Sequence, residues 1–335
     1  MDRPRPTTFL VAPDSFKGTF SAVEVTAAIA GGIEAGGARA DLCPVADGGE
    51  GTVDALLAAL GGERVVARAH DPLGRPIEAA YAVTAEGTAI VETAAASGLG
   101  LVDPADRDPE AASTVGTGEL IADAIDRGAE RVLVAVGGSA TTDGGAGAIG
   151  AIEAAGGLRD AELEVLCDVR TPFERAAEVF GPQKGADPEA VRRLTRRLED
   201  LGARLPRDPR GGPMTGCAGG LSGGLWAQYG ATLVPGAAVV LDAVGFDRRA
   251  TAADAVITGE GRIDSQTLEG KLVGELAERC RAAGRPLHAI VGTDDLGPKG
   301  ASAAGLASVT AATTLEAIET VAGELAERLR ERVRD

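Results

Sequence analysis

Four times in this chain a short apolar run stops at an acidic residue set beside a turn or among glycines. The segments are FLVAPDSFKG at Asp14, CPVADGGEG at Asp47 and Glu50, EVLCDV at Asp168, and AVITGEGRID at Glu260 and Asp264. Runs this short, separated by stretches of helical period, are the pattern of buried parallel strands joined by helices. The pattern predicts a strand over 8–12, a loop over 13–18, and a helix opened by a Ser21–Glu24 capping box and closed at Gly36–Gly37. A strand over 42–45, the loop 47–51 and a helix through Leu60 follow. Near the end of the chain the rhythm returns, with strands over 255–258 and 287–291 and helices over 270–283 and 315–334.

Residues 64–92 depart from that rhythm. Three strand-like runs lie close together there, divided by turn signals at 71–74 and at Glu86–Gly87, which predicts hairpins in a mixed sheet. A length of 335 residues favours two domains. The expected fold class is therefore α/β: a doubly wound, mostly parallel sheet domain from 1–64 and 251–335, with a second mixed-sheet α/β domain, 65–250, inserted. The active site is expected in the cleft between them. Aromatics make up only 3% of the chain against 48 glycines, so small aliphatic side chains must fill the core. Trp226 and Tyr229 are expected to pack rather than stack on a base, and 205–214 reads as an exposed flexible loop. The charged helices over 188–201 and 315–334 read as solvated amphipathic faces.

Charge and cysteine usage narrow the function classes. A net charge of −17 argues against a nucleic-acid partner, because phosphate backbones select basic surfaces. Cys43, Cys167, Cys217 and Cys280 form no CxxC pair and read as reduced core residues, which favours the cytoplasm. Only His70 and His288 occur, so a histidine-rich metal site is not expected. Neither the N-terminal apolar run nor any later one is long enough for a signal peptide or a membrane span.

Ligands of open α/β sheets bind beyond the carboxyl ends of the strands, where the four acidic loops would lie. Carboxylates gathered there suit Mg²⁺, and one of them could accept a proton from a substrate hydroxyl. The glycine-rich segment 137–147 follows the run RVLVAV and precedes a helix, so its amides could cradle phosphate. Residues 216–225 and 113–120 are weaker candidates of the same kind, since glycine also serves turns and close packing. No Walker A sequence and no full GxGxxG after a strand are present. The chain has four lysines, Lys17, Lys184, Lys271 and Lys299, each adjacent to a glycine, while arginine fills every other basic position. Lysine kept at such places suits contact with phosphate, and Lys17 and Lys184 in the loops PDSFKG and FGPQKG carry most weight.

Nine segments occur in an order that resembles the bacterial type 1 glycerate kinase family: PDSFKGTFSA, ADGGEGTVDAL, ETAAASGL, STVGTGEL, GGSATTDGGAGA, FGPQKGA, CAGGLSGGL, GATLVPG and VITGEGRIDSQTLEGK. The resemblance implies a two-domain α/β fold unlike the P-loop kinases. It also implies phosphorylation of D-glycerate by ATP with Mg²⁺, usually to 2-phosphoglycerate. The chain departs from the family pattern in a shorter stretch between Gly147 and Glu164, in RTPFERAAEV after Val169, and in GTDDLG after Val291.

On this reading Asp14, Lys17, Asp47 and Glu50 are the candidate catalytic residues, and Asp47 with Asp168 the candidate Mg²⁺ ligands. Ser15, Gly48, Gly49, Gly137, Gly138, Ser139, Thr141, Asp143, Lys184, Glu260, Asp264 and Lys271 are the candidates for substrate and phosphate. A kinase for another small hydroxy acid, or a non-catalytic binder of nucleotide or hydroxy acid, remains open at this point. The expected partners are the small-molecule substrates alone, for a monomer or homodimer.

Overall fold

The computed structural model describes residues 6–16, 18–264 and 272–334, with the side chains of 332–334 left aside. Lys17, Lys271 and the start of the helix expected from residue 270 lie outside the described residues. The described chain divides into two compact units, 1–46 with 240–335 and 47–239. Both the expected division at 64/65 and 250/251 and the observed one make the middle of the chain the inserted part. The limits differ because the helix after loop 47–51 packs on strands of the second unit, whereas residues 246–252 pack on strands and helices of the first.

The first unit begins with β1 (Thr8–Val11), α1 (Ala22–Ala35) and β2 (Arg39–Leu42). Ser21 caps α1 as expected: the Glu24 amide donates to its Oγ at 3.2 Å and its own amide donates to Glu24 Oε2 at 2.9 Å. Val25, Ile29 and Ile33, four apart on α1, are buried. The second strand starts earlier than the expected 42–45. Residues beyond its end still follow β1, with the Cys43 and Val45 amides donating to the Val11 and Pro13 carbonyls.

In the second unit the chain forms α2 (Thr52–Leu60), β3 (Gly62–His70), β4 (Pro76–Thr84), β5 (Ala89–Glu92), α3 (Ala94–Ser97), α4 (Val115–Asp126), β6 (Arg131–Ala135), α5 (Ala146–Ala154) and β7 (Glu162–Cys167). It continues through α6 (Ala176–Phe180), α7 (Pro188–Gly202), α8 (Cys217–Tyr229) and β8 (Thr232–Pro235). Its sheet runs β3-β4-β5-β6-β7-β8. The first three strands are antiparallel, as the hairpin signals predicted, and β5 to β8 are parallel. Tyr81 of β4 is fully buried, and its hydroxyl donates to Asp123 Oδ2 at 2.9 Å.

Helix α9 (Gly236–Ala243) carries the chain over the limit at 239/240, and the first unit closes with α10 (Phe246–Ala252), β9 (Ala255–Ile263), α11 (Leu272–Ala282), β10 (Leu287–Asp294), α12 (Gly297–Ala303), β11 (Ser308–Ala311) and α13 (Leu315–Arg334). Its sheet is parallel throughout, in the order β11-β10-β9-β1-β2. Helices α1 and α13 cross so closely that a Cβ on Gly32 would meet the Glu319 carbonyl oxygen at 2.0 Å.

Two expectations need correction. Glu260 does not end a strand: β9 runs on to Ile263, and Glu260 pairs with Val291 because β10 is equally extended. The glycine run 216–225 is not a loop, since residues 217–229 form α8, kinked where Ala218, Gly219 and Gly220 take positive φ. The stretch 205–214 does lack a regular element. Arg207 there lies 5.8 Å from the Trp226 ring, and the Gly211 amide donates to Glu174 Oε2 at 3.0 Å.

Candidate active site

In the second unit, loop 47–51 lies across the carboxyl ends of the parallel strands. A Cβ on Gly137, just after β6, would fall 2.5 Å from the Gly49 Cα, and one on Gly48 would fall 3.1 Å from the Leu166 oxygen in β7. Only residues without a side chain allow backbones to meet so closely. Asp47 is 6% exposed and its Oδ1 accepts from the Gly49 amide at 3.0 Å, which folds the loop onto itself. Glu50 is exposed. Asp168 follows β7 directly, beside this loop.

Loop 137–145 joins β6 to α5. Its backbone is clasped by residues after β5: Leu99 N–H donates to the Gly138 carbonyl and Ala140 N–H to that of Ser97, both at 2.9 Å. Lys184 reaches the same loop from the turn following α6. It is 3% exposed, and its Nζ donates to Ser139 Oγ at 2.9 Å and to the Thr141 carbonyl. The Thr141 hydroxyl is buried with no partner among the described residues. Burial pushes the Lys184 ammonium down from 10.5 to about 8, against the opposing pull of the Asp143 and Asp168 carboxylates.

Asp143 is engaged with the loop itself. Its Oδ2 accepts from the Thr114 amide at 2.9 Å, the Thr114 hydroxyl at 2.8 Å and the Gly147 amide at 3.1 Å, while Oδ1 accepts from the Gly145 amide at 3.1 Å. Amides at the start of α5 that the sequence reading offered to phosphate are thus taken by Asp143. The glycines of α8 serve contact rather than ligand. A Cβ on Gly219 would meet the Thr141 oxygen at 2.0 Å and one on Gly224 the Gly144 oxygen at 2.2 Å. Residues 113–120 likewise hold loop 137–145 through Thr114.

Glu92, at the end of β5, belongs with this group and the sequence reading passed it over. Its Oε1 accepts from Val53 N–H in the first turn of α2 at 2.8 Å, fixing the helix that follows loop 47–51. Burial raises its carboxyl, the Val53 amide lowers it, and the neighbouring Asp54 and Glu50 raise it further. The signal was available, because AIVE is one more apolar run that stops at an acidic residue.

A separate set lies in the first unit. Asp14 follows β1, is 6% exposed, and takes the Ser15 amide on Oδ1 at 2.7 Å. Its own amide donates to the Gly259 carbonyl at 2.8 Å, which sets it beside Glu260 on the adjacent strand. The Ser15 hydroxyl is buried with no partner among the described residues. Asp264 follows the end of β9. Lys299 is exposed on α12.

Among the described residues no three His, Cys, Asp or Glu side chains are grouped to hold a metal. Mg²⁺ needs only one or two carboxylates beside substrate phosphates; Asp168 directly follows β7, and the loop that carries Asp47 approaches Leu166 of the same strand. All four cysteines are buried and unpaired, and no described helix is long and apolar enough to cross a membrane.

Comparison with known proteins agrees with this architecture. The profile of the "Glycerate kinase family" matches residues 9–156 and 153–335. A glycerate kinase of Halalkalibacterium halodurans is 40% identical over 328 residues, covering 85% of each chain. A glycerate 2-kinase of Escherichia coli is 38% identical, covering 86% of each. The crystal structure of a protein assigned as glycerate kinase 2 from Salmonella typhimurium LT2 superposes with a TM-score of 0.80 at 36% identity, over 99% of this chain and 100% of that one.

Proposed function

The chain belongs to the glycerate kinase family, and on that premise we propose that it transfers the terminal phosphoryl group of ATP to D-glycerate, giving 2-phosphoglycerate. It is a kinase, with ATP as co-substrate. The observation that carries the finer reading is the buried Lys184 ammonium held against Ser139 in a glycine-rich loop at the carboxyl edge of a parallel sheet.

Phosphoryl transfer asks a protein mainly for positioning and for positive charge where negative charge builds up. Lys184, kept dry and aimed by Ser139 and the Thr141 carbonyl, supplies that charge to phosphate oxygens over loop 137–141. The Gly137–Gly138 backbone and the Thr141 hydroxyl provide further donors. Asp143 acts one step back by fixing the loop, and Glu92 by fixing α2 and so the loop that carries Asp47. Asp47 and Asp168 would hold Mg²⁺, which when bound offsets phosphate charge and orients the transferring group.

Asp14, Asp47 and Glu50 are the candidate acceptors for the hydroxyl proton. Exchange for Asn or Gln separates them, since the base should lose about 10²–10⁴-fold in kcat. The overall reading is tested by ADP release from ATP and Mg²⁺ with and without D-glycerate, with the product identified by phosphorus NMR. Glycerate-dependent turnover to 2-phosphoglycerate is expected. Well-folded protein that releases ADP only with another hydroxy acid, or not at all, would overturn it.

A further inference from the structure

Residues 97–99 clasp the phosphate loop, and eight residues further along the same segment lies Arg107. This arginine is half-buried, and its Nε is shut off from solvent with no hydrogen-bond partner among the described residues. It packs on the turn that carries Lys184: a Cβ on Gly185, the next residue, would lie 3.4 Å from Arg107 Cβ and 4.0 Å from its Cδ. Two carboxylates near it in the chain are engaged with backbone amides. Asp103 Oδ1 accepts from the Ala105 amide at 3.0 Å, and Asp108 Oδ1 accepts from the Glu110 and Ala111 amides at 3.0 Å each. Arg285, whose Nε is also buried without a partner, at least donates from Nη2 to the Thr251 carbonyl at 2.9 Å. No such bond is made by Arg107 among the described residues.

A guanidinium drawn partly out of water without an acceptor is costly, and more conspicuous in a chain with a net charge of −17. An anionic oxygen group would satisfy it, and a planar fork with two parallel N–H donors matches carboxylate geometry better than an ammonium does.

We propose that Arg107 binds an anionic oxygen group of a substrate beside Lys184, and that this group is the carboxylate of the hydroxy acid. The proposal rests on the kinase reading above. It divides the two cations by chemistry: the compact Lys184 ammonium for the phosphoryl oxygens, the Arg107 fork for the group that gives the acceptor its identity.

The experiment compares wild type with Arg107→Ala and Arg107→Lys in ATP- and D-glycerate-dependent ADP release. Thermal midpoints are measured alongside, with and without D-glycerate and, separately, inorganic phosphate. The expected result is a KM for D-glycerate raised about tenfold or more in Arg107→Ala, partly restored in Arg107→Lys, with the KM for ATP within about twofold. D-Glycerate should then raise the midpoint of wild type but not of Arg107→Ala. A rise in the KM for ATP alone, with loss of stabilisation by phosphate, would overturn the carboxylate assignment and give the anion to the nucleotide. Folded Arg107→Ala with all constants within about twofold of wild type would overturn the proposal, as would a lower midpoint with unchanged KM values. Wild type that turns over no D-glycerate defeats the kinase reading instead. Arg107 is then judged by the midpoints alone, and equal stabilisation of wild type and Arg107→Ala by both anions would end the proposal.

Discussion

Lys184 donates a hydrogen bond from its buried ammonium to Ser139 Oγ at 2.9 Å, linking two loops that lie 45 residues apart in the chain. Each partner is what the other lacks. The ammonium needs acceptors to be tolerated inside the protein, and in the proposed role the glycine-rich loop gains from it a fixed positive charge for phosphate.

With its ordinary pKa of 10.5 brought down to about 8 by burial, Lys184 loses its proton within the range of a routine pH profile. On the proposed role it is the protonated form that serves phosphate, so kcat/KM should fall as pH rises through about 8. Lys184→Met should lower kcat by about 10²-fold or more and remove that limb from the profile. Stability moves the other way. Between about 8 and 10.5 the unfolded chain keeps a proton that the folded chain has released, so this residue favours folding increasingly with pH. Chemical denaturation at pH 8 and 10 in both proteins isolates that contribution.

Asp143 holds two segments, 113–114 and 145–147, on one carboxylate. Asp143→Ala leaves several buried donors without an acceptor and should cost about 3 kcal/mol or more, with Asp143→Asn intermediate. Urea denaturation measures the loss. A change below about 0.5 kcal/mol would show that the loop holds its shape by other means.

Glu92→Ala should cost about 1 kcal/mol, because the Val53 amide at the start of α2 loses its acceptor. Glu92→Gln keeps an acceptor and removes a half-buried charge. The wild-type carboxyl is raised above its ordinary 4.5, so the stability it contributes is full below that value and is lost as pH rises through the folded value. The midpoint of Glu92→Gln relative to wild type should therefore be higher at pH 7 than at pH 4.

Gly219→Ala and Gly150→Ala form a matched pair. At Gly219 a Cβ would meet the Thr141 oxygen at 2.0 Å and the backbone φ is +65°, so the exchange should unfold the second unit or leave the protein insoluble. At Gly150, within α5, a Cβ meets nothing within 4 Å, and alanine should raise stability by about 0.5–1 kcal/mol. Equal midpoints for the two variants would refute the packing role of α8.

Local sequence determined the elements whose causes are local. The capping box at Ser21–Glu24, the apolar period of α1, the hairpins of β3 to β5 and the acidic turns at Asp14, Asp47 and Asp168 are written within a few residues of where they act. The run AIVE carries the same signal at Glu92, which the sequence reading passed over. Tertiary structure decided what depended on partners distant in the chain. Glu260 became part of β9 because β10 runs beside it, and the 216–225 glycines became helical packing because loop 141–144 presses on them. Asp143 turned inward because Thr114 offered it donors from another segment. A glycine reads the same in sequence whether it faces phosphate or another backbone. Only the neighbour brought to it by folding separates the two, and that neighbour is set by long-range packing rather than by local propensity.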